Sequence, residues 1–342
     1  MAQGSAIVCV GHVLLDCFAS LSDVQFDCLT LDVAASGGAV HVSPPIMAKL
    51  LAELLSLSAS SPAPARPIRR RAGGGAVNTA IAAHQLGMDA QVWGSVGDDA
   101  DGALVADSIK TAGATFRAKL VEAPTGVFLR LASSDGKNKI IVSPGAAHAI
   151  SGICIEPDEI PERGGLYIDG LLIDSPDWLQ GLAQAAHKRR SVVAMDISTI
   201  GNAKANAVGL IEFSRRCCDY VFANEEEFSA LFPGDIGPEA LGSARWVVKL
   251  GSQGARCIMT KPNSGIVAGS TGTATPLPLP SRERAIIERP TPPLSVQNPV
   301  GAGDFFSAGF LRAALSGEPV DACLDGGNAV AAQFLQAQNP AG

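Results

Sequence analysis

Short apolar segments alternate with helical ones along this chain of 342 residues, and they constrain its fold more than any other feature. Uninterrupted apolar runs of this length are typical of parallel strands that are covered on both faces. Glycine follows two of the helical segments, at Gly87 and Gly113, where helices commonly end. Strands that alternate with helices predict an α/β fold: a doubly wound, mainly parallel sheet flanked by helices, with right-handed crossovers. The predicted strands include AIVCVG, AQVWGSVG, GLYIDG and SVVAMDIS, the predicted helices include VNTAIAAHQLG, DDADGALVADSIKTAG and SPDWLQGLAQAAHKRR, and further units are YVFANEEEFSALF and ARWVVKLGSQGA.

Three other stretches depart from this alternation. GVFLRLASSDGKNKIIVSPG predicts a hairpin with its turn near Asp135 and Gly136. Thr273–Val296 is rich in proline and predicts loop and edge strand. Before Gly73, the helix-like PIMAKLLAELLSL is followed by SASSPAPARPIRRR, a composition typical of a linker or loop. The three arginines that end it, Arg69–Arg71, are therefore interpreted as part of a solvated loop.

Charge and composition exclude several classes of protein. The net charge is −7, from 26 basic and 33 acidic residues, whereas general nucleic-acid binders usually present a basic face. No apolar run approaches the roughly 20 residues that span a membrane, and the N-terminus lacks the basic segment of a signal peptide. Eight cysteines without CxxC spacing are typical of a reducing compartment. We therefore expect a cytoplasmic protein without nucleic-acid or membrane partners.

The segment NPVGAGDFFSAGF, Asn298–Phe310, joins a turn with almost no side chains to an apolar helix. The first N–H groups of a helix have no partner within it and attract an anion, most often phosphate. Gly301, Ala302 and Gly303 have no bulk to obstruct such an anion. A carboxylate at Asp304 would compete with phosphate unless it takes a proton from a hydroxyl that attacks the phosphorus. The alternative is an N-capping aspartate on a core helix.

Two motifs together resemble the signatures of a known family. NPVGAGDFFSAGF is similar to the C-terminal D-T-x-G-A-G-D signature of the ribokinase, or phosphofructokinase B (PfkB), carbohydrate kinases. GGGAVNTAIAAHQLGMDAQVWGSVG is similar to their other signature, through Gly73, Gly74, Asn78, Gly87 and Gly97. Two ordered signatures about 220 residues apart are more specific than either one alone. The resemblance covers nearly the whole chain apart from about residues 36–71.

This resemblance implies a ribokinase-like fold, with one kinase domain over residues 1–342 and a small β-rich lid. The lid would comprise about residues 14–72, including an insert at about 36–71, and about residues 115–142. It would close over the sugar, because water at the transferring phosphate would cause wasteful hydrolysis.

For the acceptor and the reacting phosphate, the resemblance implies specific residues. Asp304 would be the catalytic base, and the amides of Gly301–Gly303, with Ala302 between them, would form the anion hole. Asp16 would accept hydrogen bonds from two sugar hydroxyls, and the remaining acceptor-binding residues would be Gly73, Gly74 and Asn78. For Asp16, the alternative is a residue that caps a turn.

For Mg²⁺, the resemblance points to NEEE, where Asn224 and Glu227 match the motif N-x-x-E. The glutamate of that motif helps to organise Mg²⁺ and phosphates, here through water, because Mg²⁺ gives up its waters reluctantly. The alternative is an acidic first helical turn, which favours the helix dipole in any protein.

For the nucleotide, KLGSQG matches the motif T-x-G-x-x-G through Gly251 and Gly254, with Lys249 in the threonine position. Lys249 either serves the phosphates or points to solvent. Asn328 matches an asparagine near the adenine pocket, and an ordinary polar helix position is its alternative. ATP and Mg²⁺ are therefore the expected cofactors, and a requirement for a monovalent cation such as K⁺ stays open.

The sequence thus predicts an ATP-dependent kinase that phosphorylates a hydroxyl of a sugar or sugar-like small molecule. The alternatives are a nucleoside kinase similar to adenosine kinase, and a kinase-fold protein that binds sugar or nucleotide without turnover. NPV resembles phosphofructokinase-type and tagatose-phosphate-kinase-type members, whereas GHVLLD and MDIST resemble ribokinase and nucleoside kinases. The acceptor therefore stays open, as does the choice between monomer and homodimer. The chain ends 38 residues after Asp304, short of the family's usual final helix, so a trimmed or abbreviated C-terminus is expected.

Overall fold

The computed structural model describes residues 5–30, 39–60, 68–151, 153, 155–234, 237–262, 282–291 and 300–338. They form two compact units, one from Ala6 to Ile155 and the other consisting mainly of Glu156–Gly342. Asn298 and Pro299 of the C-terminal motif lie outside the described residues. So do residues 36–38 and 61–67 of the predicted insert, and most of the proline-rich stretch.

The unit Ala6–Ile155 contains two sheets. Its strands are β1 (Ala6–Val10), β2 (Leu14–Leu21), β3 (Val40–His41), β4 (Arg69–Gly73), β5 (Asp89–Gly97), β6 (Thr115–Val121), β7 (Gly126–Ser133) and β8 (Asn138–Ser143). Its helices are α1 (Asp23–Thr30), α2 (Pro44–Ser60), α3 (Gly75–Gln85) and α4 (Ala100–Thr111). Strands β1, β5 and β6 pair in parallel, as the alternation of strands and helices predicts. Trp93 on β5 is fully buried, in keeping with strands covered on both faces.

The second sheet of this unit has five strands in the order β3-β8-β7-β2-β4. Strands β7 and β8 form the predicted hairpin, with Gly136 at a φ of 90° in its turn. The interpretation of Arg69–Arg71 as a solvated loop is wrong, because these residues form most of β4 and pair with β2. Composition favours a loop there, but ladder hydrogen bonds to a neighbouring strand override that preference. The role of this sheet as a lid stays a prediction, and β6, inside the predicted lid range 115–142, pairs with β5 instead.

The unit that contains Glu156–Gly342 is built on six strands. They are β9 (Gly165–Asp169), β10 (Val192–Asp196), β11 (Tyr220–Asn224), β12 (Arg245–Lys249), β13 (Ala255–Pro262) and β14 (Arg282–Arg289), adjacent in this order. Its helices are α5 (Pro176–Lys188), α6 (Ile200–Ala205), α7 (Ala207–Cys217), α8 (Glu225–Leu231), α9 (Pro238–Leu241), α10 (Ala302–Leu315) and α11 (Val320–Gln338). Strands β9 to β12 are parallel, and β13 and β14 are antiparallel. The edge strand predicted within Thr273–Val296 is β14.

Polar residues end four consecutive parallel strands of this sheet. Asp169 and Asp196 are register partners at the ends of β9 and β10, and Asn224 and Lys249 are register partners at the ends of β11 and β12. The carboxyl ends of parallel strands lie at one edge of a sheet, which is where ligands bind in α/β proteins. The fold therefore gathers these four side chains at one edge. Among the described residues, no helix is long and apolar enough to cross a membrane.

Helices α10 and α11 pack closely because glycine occupies their contact. A Cβ atom placed on Gly309 of α10 would lie 2.6 Å from the carbonyl oxygen of Gly326 on α11 and 2.8 Å from a methyl of Val330. Real Cβ atoms do not approach backbone oxygens so closely, so a larger residue must push the helices apart. This contact positions α10, whose first turn carries the predicted anion hole.

We expect Gly309→Ala to lower the free energy of unfolding by about 1–3 kcal/mol, because it overpacks this contact. The matched control is Gly181→Ala in α5, where an added Cβ meets no atom within 4 Å. Since alanine favours helix more than glycine, the control should raise stability by about 0.5–1 kcal/mol. Urea unfolding of both variants measures the difference, and equal effects at the two positions would contradict the packing argument.

Candidate active site

The loop that the sequence predicts to bind an anion lies at the start of helix α10. Gly301 precedes the helix with a φ of 93°, a left-handed conformation that glycine adopts without strain. The first helical hydrogen bonds run from the N–H groups of Asp304 and Phe305 to the carbonyl of Gly301, at 3.1 and 3.2 Å. In the part of the chain that the structure describes, the N–H groups of Gly301–Gly303 have no acceptor. They are therefore available to an anion.

Lys249 lies beside this loop, held by a buried carboxylate. Its Nζ is 2.7 Å from Oδ2 of Asp196, and the exposed fractions of the two side chains are 16% and 6%. A Cβ atom on Gly303 would lie 3.2 Å from the same Nζ, so the ammonium group reaches the helix start because position 303 has no side chain. The alternative that Lys249 points to solvent is wrong. Its ammonium group lies where it can offset charge on an anion at the loop.

The charged groups around Lys249 shift its pKa and that of Glu227. Burial alone lowers the pKa of Lys249, but Asp196, Glu227 and Asp304 offset this and hold the pKa above its ordinary value. Burial raises the pKa of Glu227, and the nearby Asp196 carboxylate raises it further. Three carboxylates thus act on the Lys249 ammonium group, and one of them, that of Asp196, also acts on Glu227.

Asn224 and Glu227 begin helix α8 with a reciprocal pair of hydrogen bonds. The N–H of Glu227 donates to Oδ1 of Asn224 at 2.8 Å, and the N–H of Asn224 donates to Oε2 of Glu227 at 2.9 Å. This is a capping box, in which each side chain satisfies a backbone donor that the helix leaves without a partner. Both residues thus have a structural role, and the bond uses only one of the two carboxylate oxygens of Glu227.

The residues matched to the nucleotide motif surround the end of β14. Gly254 has a φ of 100°, and a Cβ there would lie 2.1 Å from the carbonyl oxygen of Arg289. The Nδ2 group of Asn328 donates to the same Arg289 oxygen at 3.1 Å and lies 3.4 Å from that of Pro290. Gly251 opens the turn that Gly254 closes. The structure thus brings Gly251, Gly254 and Asn328 together, with the Asn328 amide anchoring α11 to β14.

Four polar residues of this unit are missing from the sequence prediction. Asp196 holds Lys249, Ser307 Oγ lies 3.5 Å from the same Asp196 oxygen, and Ser198 Oγ donates to Asp169 Oδ1 at 2.5 Å. Ser198 has a φ of 76°, which is unusual for a residue with a side chain and is typical of functional sites. The signal for Asp169 and Asp196 is present in the sequence, because each directly ends a buried apolar strand.

The predicted acceptor residues lie together in the unit Ala6–Ile155. A Cβ on Gly73 would lie 2.0 Å from the Asp16 carboxyl carbon, so only glycine leaves room for that carboxylate. Gly74 has a φ of 102° and precedes helix α3, whose first bond runs from the N–H of Asn78 to the Gly74 carbonyl at 3.0 Å. The structure therefore places Asp16 against Gly73, and Gly74 and Asn78 follow Gly73 at the start of α3.

Asp16 is buried without a partner for its carboxylate. Its exposed fraction is 5%, and no side-chain hydrogen bond or ion pair to it is found among the described residues. Burial raises the pKa of Asp16 to about 7, although the charge of Arg71 lowers it in part. A turn-capping role would need a hydrogen bond from a backbone N–H, so the described contacts give this alternative no support.

The donor set fits ATP and Mg²⁺. Backbone amides at a helix start and a lysine beside them are groups of the types that bind polyphosphate in proteins, and this site has both. Among the described residues, no three side chains of the types His, Cys, Asp and Glu are close enough to hold a metal ion together. Mg²⁺ is commonly held by one or two carboxylates together with phosphate oxygens and water. Asp196 and Glu227 could supply such carboxylates.

We expect Lys249→Met to lower the free energy of unfolding by about 3–5 kcal/mol, because it leaves Asp196 buried without its counter-ion. The double variant Lys249→Met/Asp196→Asn should recover most of this loss, since asparagine is neutral and can still accept from the N–H of Ser198. Urea unfolding completes the double-mutant cycle, and additive losses would contradict the coupling. Lys49→Met, which removes an exposed ion pair with Glu53 in α2, should cost less than about 1 kcal/mol.

A pH dependence follows from Asp16. Its folded-state pKa, about 7, lies above its ordinary value of 3.8, so between these values the folded chain keeps a proton that the unfolded chain has lost. The free energy of unfolding therefore falls as pH rises through this window, and the full penalty is present above it. Asp16→Asn has no such proton, so its stability relative to the wild type should increase from about pH 4 to about pH 8. Denaturant unfolding across this range measures the difference, and parallel pH profiles would refute the assignment.

Comparisons with known proteins show to which family the chain belongs. A sequence profile of the pfkB family carbohydrate kinases matches residues 46–342. The chain is 29% identical over 277 residues to the ATP-dependent ribose-1-phosphate kinase of Halopiger xanaduensis, covering 78% of this chain and 81% of that protein. Its fold is similar to the adenosine kinase of Sinorhizobium meliloti, with a TM-score of 0.74, 24% identity and coverage of 98% and 94% of the two chains.

The fold is also similar to that of Arabidopsis thaliana ribokinase complexed with ribose and ATP. The TM-score is 0.63, the identity is 22%, and 97% of this chain and 93% of that one are covered. These structural neighbours are ribokinase-fold kinases, so the predicted fold class is confirmed. The family profile covers most of the sequence, including both signature motifs. This chain belongs to the pfkB family of carbohydrate kinases.

Proposed function

We propose that this protein transfers the γ-phosphoryl group of ATP to a hydroxyl of a sugar, with Asp304 as the catalytic base. The observation that carries the proposal is the position of Asp304 in the first turn of α10, next to the Gly301–Gly303 amides, which have no acceptor among the described residues. A loop that binds only phosphate gains nothing from a carboxylate there. A loop at which a hydroxyl must lose its proton during attack on phosphorus needs one.

In this mechanism, each group has a separate task. Asp304 accepts the proton of the sugar hydroxyl as the oxygen attacks the phosphorus in line with the leaving group. The amides of Gly301–Gly303 donate to the oxygens on which negative charge develops, and they need no rearrangement to do so. Asp196 and Glu227 would hold Mg²⁺, which would supply further positive charge to the phosphates.

Lys249 adds a fixed positive charge at the same place. The family motif has a threonine hydroxyl at this position, and an ammonium group offsets more charge than a hydroxyl dipole does. Because Asp196 holds Nζ at 2.7 Å, the charge is already beside the loop before the nucleotide binds. Electrostatic stabilisation is most effective when the groups are oriented in advance in this way.

The acceptor is proposed to bind in the other unit, at Asp16, Gly73, Gly74 and Asn78. A carboxylate can accept hydrogen bonds from two neighbouring hydroxyls, which suits a sugar. The relative from Halopiger xanaduensis is a ribose-1-phosphate kinase at 29% identity, which favours a pentose or pentose phosphate as the acceptor here. The retained carboxylates at positions 16 and 304 favour turnover over binding alone.

We expect Asp304→Asn to lower kcat by about 10²- to 10⁴-fold, because the amide cannot accept the proton. The measurement is ADP release from MgATP with a panel of sugars, sugar phosphates and nucleosides, and calorimetry with ATP should show that the nucleotide still binds. Asp177→Asn is the matched control, since Asp177 also lies in the first turn of a helix, α5. The control should keep full activity. Turnover of Asp304→Asn at the wild-type rate would exclude Asp304 as the base.

A further inference from the structure

The five-stranded sheet has one buried face and one partly exposed face. Successive side chains of a strand point to opposite faces, so alternate residues of β2 separate. Leu15 and Cys17 point to the buried face, whereas Phe18, on the other face, is only half-buried. Asp16 lies on the same face as Phe18. Neighbouring strands bring further residues to this open face through their register: Arg69 and Arg71 from β4, Phe128 and Arg130 from β7.

This open face carries more positive than negative charge. Arg71 is the register partner of Asp16, and Arg69 is the partner of Phe18 in the antiparallel pair of β2 and β4. On the other side of β2, Arg130 is level with Phe18. We call Arg69, Arg71 and Arg130 the arginine face. Among the described residues of β2, β4 and β7 that share this face, the carboxylate is that of Asp16, and burial raises its pKa to about 7.

Two of these arginines contact an aromatic ring, and no hydrogen bond from their guanidinium groups is found among the described residues. The guanidinium carbons of Arg71 and Arg69 lie 5.3 and 6.0 Å from the ring centroid of Phe18. A cation–π contact of this kind leaves the N–H groups at the edge of the guanidinium available. No carboxylate among the described residues lies within 4 Å of either group. Arg130 differs, because it donates to Oδ1 of Asn138 at 3.0 Å.

Arg70 shows the contrasting arrangement on the same strand. It points to the opposite face of the sheet and forms an ion pair with Asp101. One strand therefore carries an arginine in an ion pair on one face and, on the other, two arginines with no carboxylate within 4 Å among the described residues. Exposure to solvent alone does not explain why the arginine on one face has an ion-pair partner and those on the other face have none within 4 Å among the described residues.

We propose that the arginine face binds the phosphate group of an acceptor that is already a sugar phosphate. The proposal rests on the proposed function, in which Asp16 binds the hydroxyls of the acceptor. Cross-strand partners in an antiparallel pair have Cβ atoms about 4.5–5.5 Å apart, so Arg71 lies within one sugar's length of Asp16. A guanidinium group binds phosphate through two parallel N–H donors, and a second guanidinium beside it adds to the attraction.

A neutral sugar would satisfy only part of this surface. Its hydroxyls can bind Asp16, but they leave the edges of Arg69 and Arg71 without an anionic partner. A phosphate monoester carries close to two negative charges and several acceptor oxygens at neutral pH. It complements both the charge and the donor geometry of the arginine face.

The test compares Arg71→Gln with Arg70→Gln, its neighbour on the opposite face, and with Arg71→Lys. For ribose 1-phosphate and ribose 5-phosphate, Arg71→Gln should lower kcat/KM by about 10- to 100-fold. The kcat/KM of Arg71→Lys should fall between that of Arg71→Gln and that of the wild type, because lysine keeps the positive charge but lacks the two parallel N–H donors of a guanidinium group. For ribose, the change should stay below about threefold, and the KM for ATP should not change. Arg70→Gln should behave as the wild type with every acceptor.

Calorimetry with the sugar phosphate alone, without nucleotide, separates this inference from the kinase proposal. Binding that weakens in Arg71→Gln but not in Arg70→Gln supports the arginine face even if no acceptor is turned over. Turnover of ribose alone, unchanged in Arg71→Gln, would leave the kinase proposal intact and overturn this one. Equal losses with ribose and ribose phosphates would also overturn it, since Arg71 would then serve the fold. An Arg71 effect confined to the sugar acid 2-keto-3-deoxygluconate would exclude phosphate as the group bound.

Discussion

The buried ion pair of Lys249 and Asp196 is the interaction on which the carboxyl edge of the parallel strands β9 to β12 depends. It joins the ends of β10 and β12 across β11, which lies between them. Removing two charges from water is costly, and the cost is recovered only when the partners stay close in good geometry. The pair therefore fixes the edge of the sheet as well as the position of the ammonium group. Because Gly303 has no side chain, the same ammonium group lies against the start of α10.

The last residues of three neighbouring strands, β10 to β12, have separate structural roles at this edge of the sheet. Asp196 ends β10 and supplies the counter-ion, Asn224 ends β11 and caps α8, and Lys249 ends β12 and carries the positive charge. Each role needs a different side chain, but all three need the same place at the carboxyl edge of a parallel sheet. A site built from several strand ends stays rigid, because each strand is fixed by its neighbours on both sides.

Most of the fold and part of the site could be predicted from the sequence. Continuous apolar runs and helix-ending glycines give the strands and helices because both signals are local. The capping box at Asn224 and Glu227 is also local, and NEEE contains it. The pairing of Lys249 with Asp196 is not, since the two residues are far apart in sequence and meet only through the order of strands. The interpretation of Arg69–Arg71 as a loop is wrong for the same reason. Their conformation depends on pairing with a distant strand, β2, whereas composition alone favours a loop.

Asp16 lowers the stability of the fold that holds it. The carboxylate is 5% exposed, its side chain has no hydrogen-bond partner in the described part of the chain, and burial raises its pKa to about 7. A core residue under selection for stability alone would be apolar here, since an unpaired buried carboxyl group costs free energy. Position 73 must also be glycine, because a side chain there would overlap the Asp16 carboxyl group. The buried carboxyl group and the glycine beside it are both explained if acceptor hydroxyls supply the missing hydrogen bonds. The free-energy cost of burying the carboxyl group is then relieved only when the ligand is bound.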